Sequence, residues 1–131
     1  MNIKLLRKIQ KAIARAPQRL DMDIPITSYK CKTTACIAGH AVLLSQKGKR
    51  FNKVAEDFVN KFPDSAFSTD WQPIEIRARN LLKLTRGQAN RLFLSWGWPD
   101  EYQANYRGTP VERVRVAIKR IDHFIETKGL E

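Results

Sequence analysis

The sequence predicts an all-α fold: a compact single-domain helical bundle over residues 1–131, of about six helices, with one long loop before a buried central helix. Three observations lead there. Apolar residues recur at three and four positions, and period-two alternation is nearly absent. Two segments open on a capping-box pattern, Thr85 with Gln88 and Thr109 with Glu112. A chain of 131 residues, 43% of them hydrophobic, can bury one core without disulfide staples.

The first helix is expected over about 2–16, ending at Pro17, with Leu5, Leu6, Ile9, Ala12, Ile13 and Ala16 on its inner side. An irregular stretch, 17–33, contains Pro25 and Asp21-Met22-Asp23. The second helix is expected over about 34–46, stopping at Lys47-Gly48. It is apolar nearly all round, which places it in the centre of the bundle. Gly39 inside it costs roughly 1 kcal/mol of helix propensity against Ala, which implies a packing reason. The third, about 51–62, packs Phe51, Val54, Ala55, Phe58 and Val59, and a loop runs on to Trp71. The fourth opens at Pro73 and runs to about Lys83. The fifth follows Thr85 and ends near Ser95, before Gly97 and Pro99. A short helical turn fits 100–105. The last helix has Thr109 as cap and Pro110 in its first turn. It carries the stripe Val111, Val114, Ala117, Ile118, Ile121, Phe124 and Ile125, and stops at Gly129.

The formal charge is +11, and its distribution matters more than its size. Residues 1–20 hold Lys4, Arg7, Lys8, Lys11, Arg15 and Arg19 with no acid. Residues 71–98 hold Arg77, Arg79, Lys83, Arg86 and Arg91 against Glu75 alone, whereas 51–70 lean acidic. On the first helix Lys4, Arg7, Lys8, Lys11 and Arg15 fall within an arc of about 100°. Such a stripe seeks a polyanion: nucleic acid, an acidic membrane surface or an acidic protein. Apolar runs are too short for a membrane span. The N-terminal charges recur every turn and leave no apolar stretch for a secretory signal. The expected location is the cytoplasm, where two cysteines are first expected as free thiols.

Cys31, Cys36 and His40 offer three soft or borderline metal ligands, with Cys36 and His40 four apart on one helix face. His123 would complete a zinc set, but its phase sets it beside Glu112 and Lys119, facing solvent. A Cys–His nucleophilic pair lacks a third orienting group. The expectation is a buried thiol and a hydrogen-bonded core histidine, with no metal, no cofactor and no catalysis; a Cys31–Cys36 disulfide stays open. The block Cys-x-Thr-x-x-Cys-x-Ala-Gly-His-Ala over Cys31–Ala41 resembles one in a group of small bacterial and phage helical proteins. In that group Trp can stand in the His place, and Gly often follows the first cysteine, where this chain has Lys32. The likeness continues in Leu20-Asp21-Met22, Leu81-Leu82-Lys83-Leu84-Thr85, Gln88-Ala89, Leu92-Phe93, Trp98-Pro99 and Arg120-Ile121-Asp122-His123-Phe124-Ile125. The resemblance implies no catalytic residues, and it implies a phage or mobile-element origin.

Ile74 to Phe93 also reads as a candidate helix-turn-helix, with Leu84-Thr85 as the turn. Arg86, Gln88, Asn90 and Arg91 would then face bases or phosphates. Lys83 stands where such turns usually have Gly, and Gly87 weakens the second helix. Phe93, Trp96, Trp98, Tyr102 and Tyr106 lie near Arg91 and Arg107; interleaved in this way they either stack unpaired bases or close a core beneath a turn. The reading is a small basic binding protein whose partner is nucleic acid, through Lys4, Arg7, Lys8, Lys11, Arg15, Arg86, Gln88, Asn90 and Arg91. The alternative is a phage or mobile-element accessory protein that occupies an acidic or nucleic-acid-binding site on a larger assembly.

Overall fold

In the computed structural model, residues 1–29, 32–46, 48, 51–61 and 72–131 are described. The fold is all-α. Its helices are α1 (Ile3–Arg15), α2 (Ile37–Ser45), α3 (Phe51–Lys61), α4 (Gln72–Leu82), α5 (Arg86–Phe93), α6 (Asp100–Asn105) and α7 (Pro110–Glu126). That is seven α-helices among the described residues, one more than the periodicity predicts, because the turn at 100–105 is a helix in its own right. Both capping boxes form, with Thr85 and Thr109 each exchanging hydrogen bonds with the residue three on.

The stretch 17–33 is not wholly irregular. After a short 3-10 turn (Pro17–Arg19) it contains β1 (Ile26–Tyr29), which pairs antiparallel with β2 (Lys32–Ala35) in the register Ile26↔Ala35 to Tyr29↔Lys32. The second helix therefore starts at Ile37 rather than near 34, and Cys36 is its N-cap, with Sγ accepting from the Gly39 N–H at 3.4 Å. Cys31, Lys47, the loop expected over 62–71 and the side chains of Phe51, Phe58 and Val59 lie outside the described residues.

α2 is the centre. Ile37 to Leu43 are all buried, His40 included, with α1, α3 and α4 around them. Gly39 has its packing reason here: a Cβ at that position would lie 1.9 Å from the Pro25 carbonyl oxygen. The hairpin thus sits directly on the helix backbone.

α7 closes the bundle beside α1 and α5. Its buried face is Val114, Ala117, Arg120, Ile121 and Phe124. This face differs from the expected stripe at Val111 and adds Arg120. Val111 is 48% exposed, because the first turn overhangs the core. Arg120 is fully buried instead. Its guanidinium lies 5.8 Å from the Tyr102 ring centre and 5.6 Å from that of Phe124, and it donates to the Arg91 carbonyl near the C-terminal end of α5 at 3.1 Å. Aromatic faces and a helix carbonyl end both favour a cation, yet burial lowers the Arg120 pKa, and its Nε and Nη1 have no hydrogen-bond partner among the described residues.

Candidate functional site

The basic stripe of α1 forms as the periodicity requires. Leu5, Leu6, Ile9 and Ile13 are buried, and Lys4, Arg7, Lys8, Lys11 and Arg15 are exposed. Asn2 caps the helix by accepting from the Leu5 N–H at 3.1 Å. The five cations are not equivalent. Arg7 pairs with Asp122 on α7 and also donates to Gln10 Oε1 at 2.8 Å. Gln10 is itself buried and donates to the Ile118 carbonyl and to Asp122 Oδ1, both at 3.0 Å. Burial works against the Asp122 charge, yet the hydrogen bonds from Gln10 and Arg7 hold its carboxyl below the usual range. Lys8 Nζ donates to the Leu44 carbonyl at 2.7 Å, in the last turn of α2, where a cation suits the helix end. Among the described residues, Lys4, Lys11 and Arg15 have no such engagement.

The second basic segment is tied to the first. The Asn2 N–H donates to the Leu82 carbonyl at 2.7 Å, and the Asn2 side-chain amide to the Leu81 carbonyl at 3.1 Å. The end of α4 is thereby fixed to the start of α1, and Lys83 and Arg86, both exposed, come to the end that carries Lys4. Lys83 takes φ +54°, the left-handed conformation that helix-ending turns usually give to glycine. The Leu84 N–H then closes on the Arg79 carbonyl at 3.0 Å.

Gln88, expected to face base edges, has both ends of its amide hydrogen-bonded within the fold. Oε1 accepts from the Thr85 N–H at 3.0 Å, and Nε2 donates to the Lys128 carbonyl at 2.8 Å, tying α5 to the end of α7. Asn90 and Arg91 are exposed in the C-terminal half of α5. The segment thus splits: Lys83 and Arg86 follow directly on the α4 end that Asn2 holds, whereas the Gln88 amide is engaged within the fold. Lys83 is not in the expected set. It sits at a turn rather than on a helical stripe, so periodicity carries no signal for it.

The cysteine–histidine block is interior. His40 Nδ1 lies 3.0 Å from the Cys36 carbonyl, so that nitrogen carries the proton and donates. Burial dominates both ionisations, lowering the His40 pKa to about 4 and pushing the Cys36 thiol up to about 12. Among the described residues, no three His, Cys, Asp or Glu side chains group as a metal set. His123 is half-buried rather than solvent-facing, with Nε2 2.9 Å from Glu131 Oε2. No helix among the described residues is long and apolar enough to cross a membrane. In comparisons with known proteins, no family model, no curated protein and no solved structure matches the chain.

Proposed function

We propose that this chain is a non-catalytic binding protein that holds nucleic acid by its phosphates, along the outer face of α1 and the adjoining α4–α5 turn. One observation carries the reading. Tertiary hydrogen bonds from Asn2 hold two basic segments, some eighty residues apart in sequence, against each other, with Lys4, Lys83 and Arg86 exposed. Cations so gathered with few acids among them repel one another and attract a polyanion. Lys4, Lys11, Arg15, Lys83 and Arg86 are the main phosphate contacts. Arg7 contributes less, because Asp122 already faces it. Asn90 and Arg91 lie outside this surface and act only if α5 enters a groove.

The test is a titration of labelled duplex and single-stranded oligonucleotides over a range of salt. Affinity should fall linearly on a log–log plot, with a slope of about −0.9 per phosphate contact on duplex. Lys4→Gln with Lys11→Gln should weaken binding to all sequences alike and flatten the slope by about two units. Lys8 is a poorer choice, since its bond to Leu44 makes it partly structural. The Gln88→Ala variant should lower stability and leave sequence preference unchanged. A protein showing no salt-dependent binding to either form would refute the reading and leave an acidic protein partner in front.

A further inference from the structure

Of the five aromatic residues from Phe93 to Tyr106, Trp96 alone stays in water. Phe93 and Trp98 are buried, Tyr102 and Tyr106 are half-buried, and Trp96 is 74% exposed. Its backbone is nonetheless held. Gly97 N–H donates to the Leu94 carbonyl at 2.9 Å, Trp98 N–H to that of Ser95 at 3.2 Å, and the Gln103 amide to the Trp96 carbonyl at 2.6 Å. Trp98 beneath it anchors the turn, its indole N–H donating to the Leu92 carbonyl at 3.1 Å. An indole normally buries most of its area. Here a fixed backbone presents it to solvent.

Trp96 also lines a cleft of about 480 Å³, within the size range of small-ligand sites. Asp23, Gln103, Tyr106, Arg107 and Arg113 are among its other walls. Arg113 Nε is buried and has no hydrogen-bond partner among the described residues, while the Tyr106 hydroxyl is set against the Met22 backbone. Buried polar groups are rarely left so. The cleft therefore combines an aromatic platform, two guanidiniums and one unsatisfied polar atom. Among its lining residues one carboxylate, Asp23, opposes them.

We infer that this cleft takes one nucleotide unit, its base stacked on Trp96 and its phosphate met by Arg107 and Arg113. Planar guanidinium forks suit a phosphate, and any base has a face for the indole. Asp23 repels the phosphate and suits the amino edge of a base. The cleft shares no residue with the α1 surface, so this inference goes beyond the phosphate-binding reading and does not depend on it. The unit can arrive within a single strand or as a free nucleotide.

The experiment uses the full chain as wild type, Trp96→Ala, Trp96→Phe and Arg107→Gln, with melting checked for each. Because Trp96 and Arg107 are exposed, these variants should fold. Each is titrated with a labelled single-stranded oligonucleotide, the matching duplex and a nucleoside monophosphate. Trp96→Ala should lose roughly tenfold in single-strand affinity, Trp96→Phe clearly less, and duplex affinity should not move. Arg107→Gln should weaken single-strand binding and reduce its salt slope by about one unit. Dependence on Trp96 for the monophosphate but not the strand would support the cleft and identify the source as a free nucleotide. If neither ligand responds to Trp96→Ala, the inference is overturned, whatever Lys4→Gln with Lys11→Gln does to duplex binding.

Discussion

Gly39→Ala tests whether the hairpin rests on the central helix as closely as the structure places it. On helix propensity alone the change gains about 1 kcal/mol. Against that, the new Cβ meets the Pro25 carbonyl oxygen at 1.9 Å, the Ala35 Cβ at 2.8 Å and the Ile26 Cγ1 at 2.8 Å. Carbon–oxygen contacts normally begin near ~3.3 Å, so the hairpin must move by roughly 1.4 Å. Neither a carbonyl oxygen nor an alanine Cβ can swing aside. The displaced carbonyl is also the longer of two acceptors for the Cys36 N–H, at 3.3 Å against 3.0 Å for that of Ile24, so this bond survives its movement. Overpacking of this kind costs about 3 kcal/mol. After the propensity gain, the net loss is about 2 kcal/mol. Urea unfolding followed by circular dichroism should show the midpoint falling by about 1–2 M. Gly87→Ala is the control: it is exposed on α5, and the nearest foreign atom to its Cβ is Arg91 Nη1 at 3.7 Å. It should raise stability by roughly 1 kcal/mol. A Gly39→Ala protein as stable as wild type, or stabilised like Gly87→Ala, would refute the close approach.

The remaining expectations concern the buried block. His40 titrates near 6.5 when unfolded and at about 4 when folded, so the unfolded chain binds the proton first. Its stabilising contribution is complete above pH 6.5 and is lost as pH falls towards 4, by roughly 3 kcal/mol. His40→Gln should remove that slope from a stability-against-pH series; a slope that survives would reassign it to other groups. Cys36, in a Cys31→Ser background, should resist alkylation until the protein unfolds, because its thiol is buried and its pKa is pushed up to about 12. Labelling of the native protein at the rate of a free thiol would contradict this, and Cys36→Ala should cost about 1 kcal/mol.

What the sequence conveys clearly is what local chemistry decides. The two capping boxes are contained within four residues each, and both form. The α1 stripe follows from phase alone. The hairpin was missed because each strand is four residues long and one edge of it rests on α2, a contact with no local trace. The β-branched residues Ile26, Thr27, Thr33 and Thr34 were the available signal. Arg120 shows the reverse case. It lies three residues after Ala117 and four before Phe124, so phase puts it inside, and only its charge argues otherwise. Phe124 is one turn on along the same helix, but the Tyr102 ring and the α5 carbonyl end that also receive it come from more distant parts of the chain.

The candidate surface divides along the same line. Its cations on α1 are legible by spacing, but its extent is set by three neutral amides. Asn2 ties α1 to the end of α4, Gln10 ties α1 to α7, and Gln88 ties α5 to α7. Their use has an electrostatic consequence. Amides can hold positively charged segments together without neutralising them, whereas acids in those places would cancel the field. The exception is Asp122, which faces Arg7 and meets Gln10 as well. It sits where α1 and α7 join, and the cations on either side of it, Lys4 and Lys11, stay uncompensated among the described residues. The fold is therefore held at this surface by groups that leave its charge available.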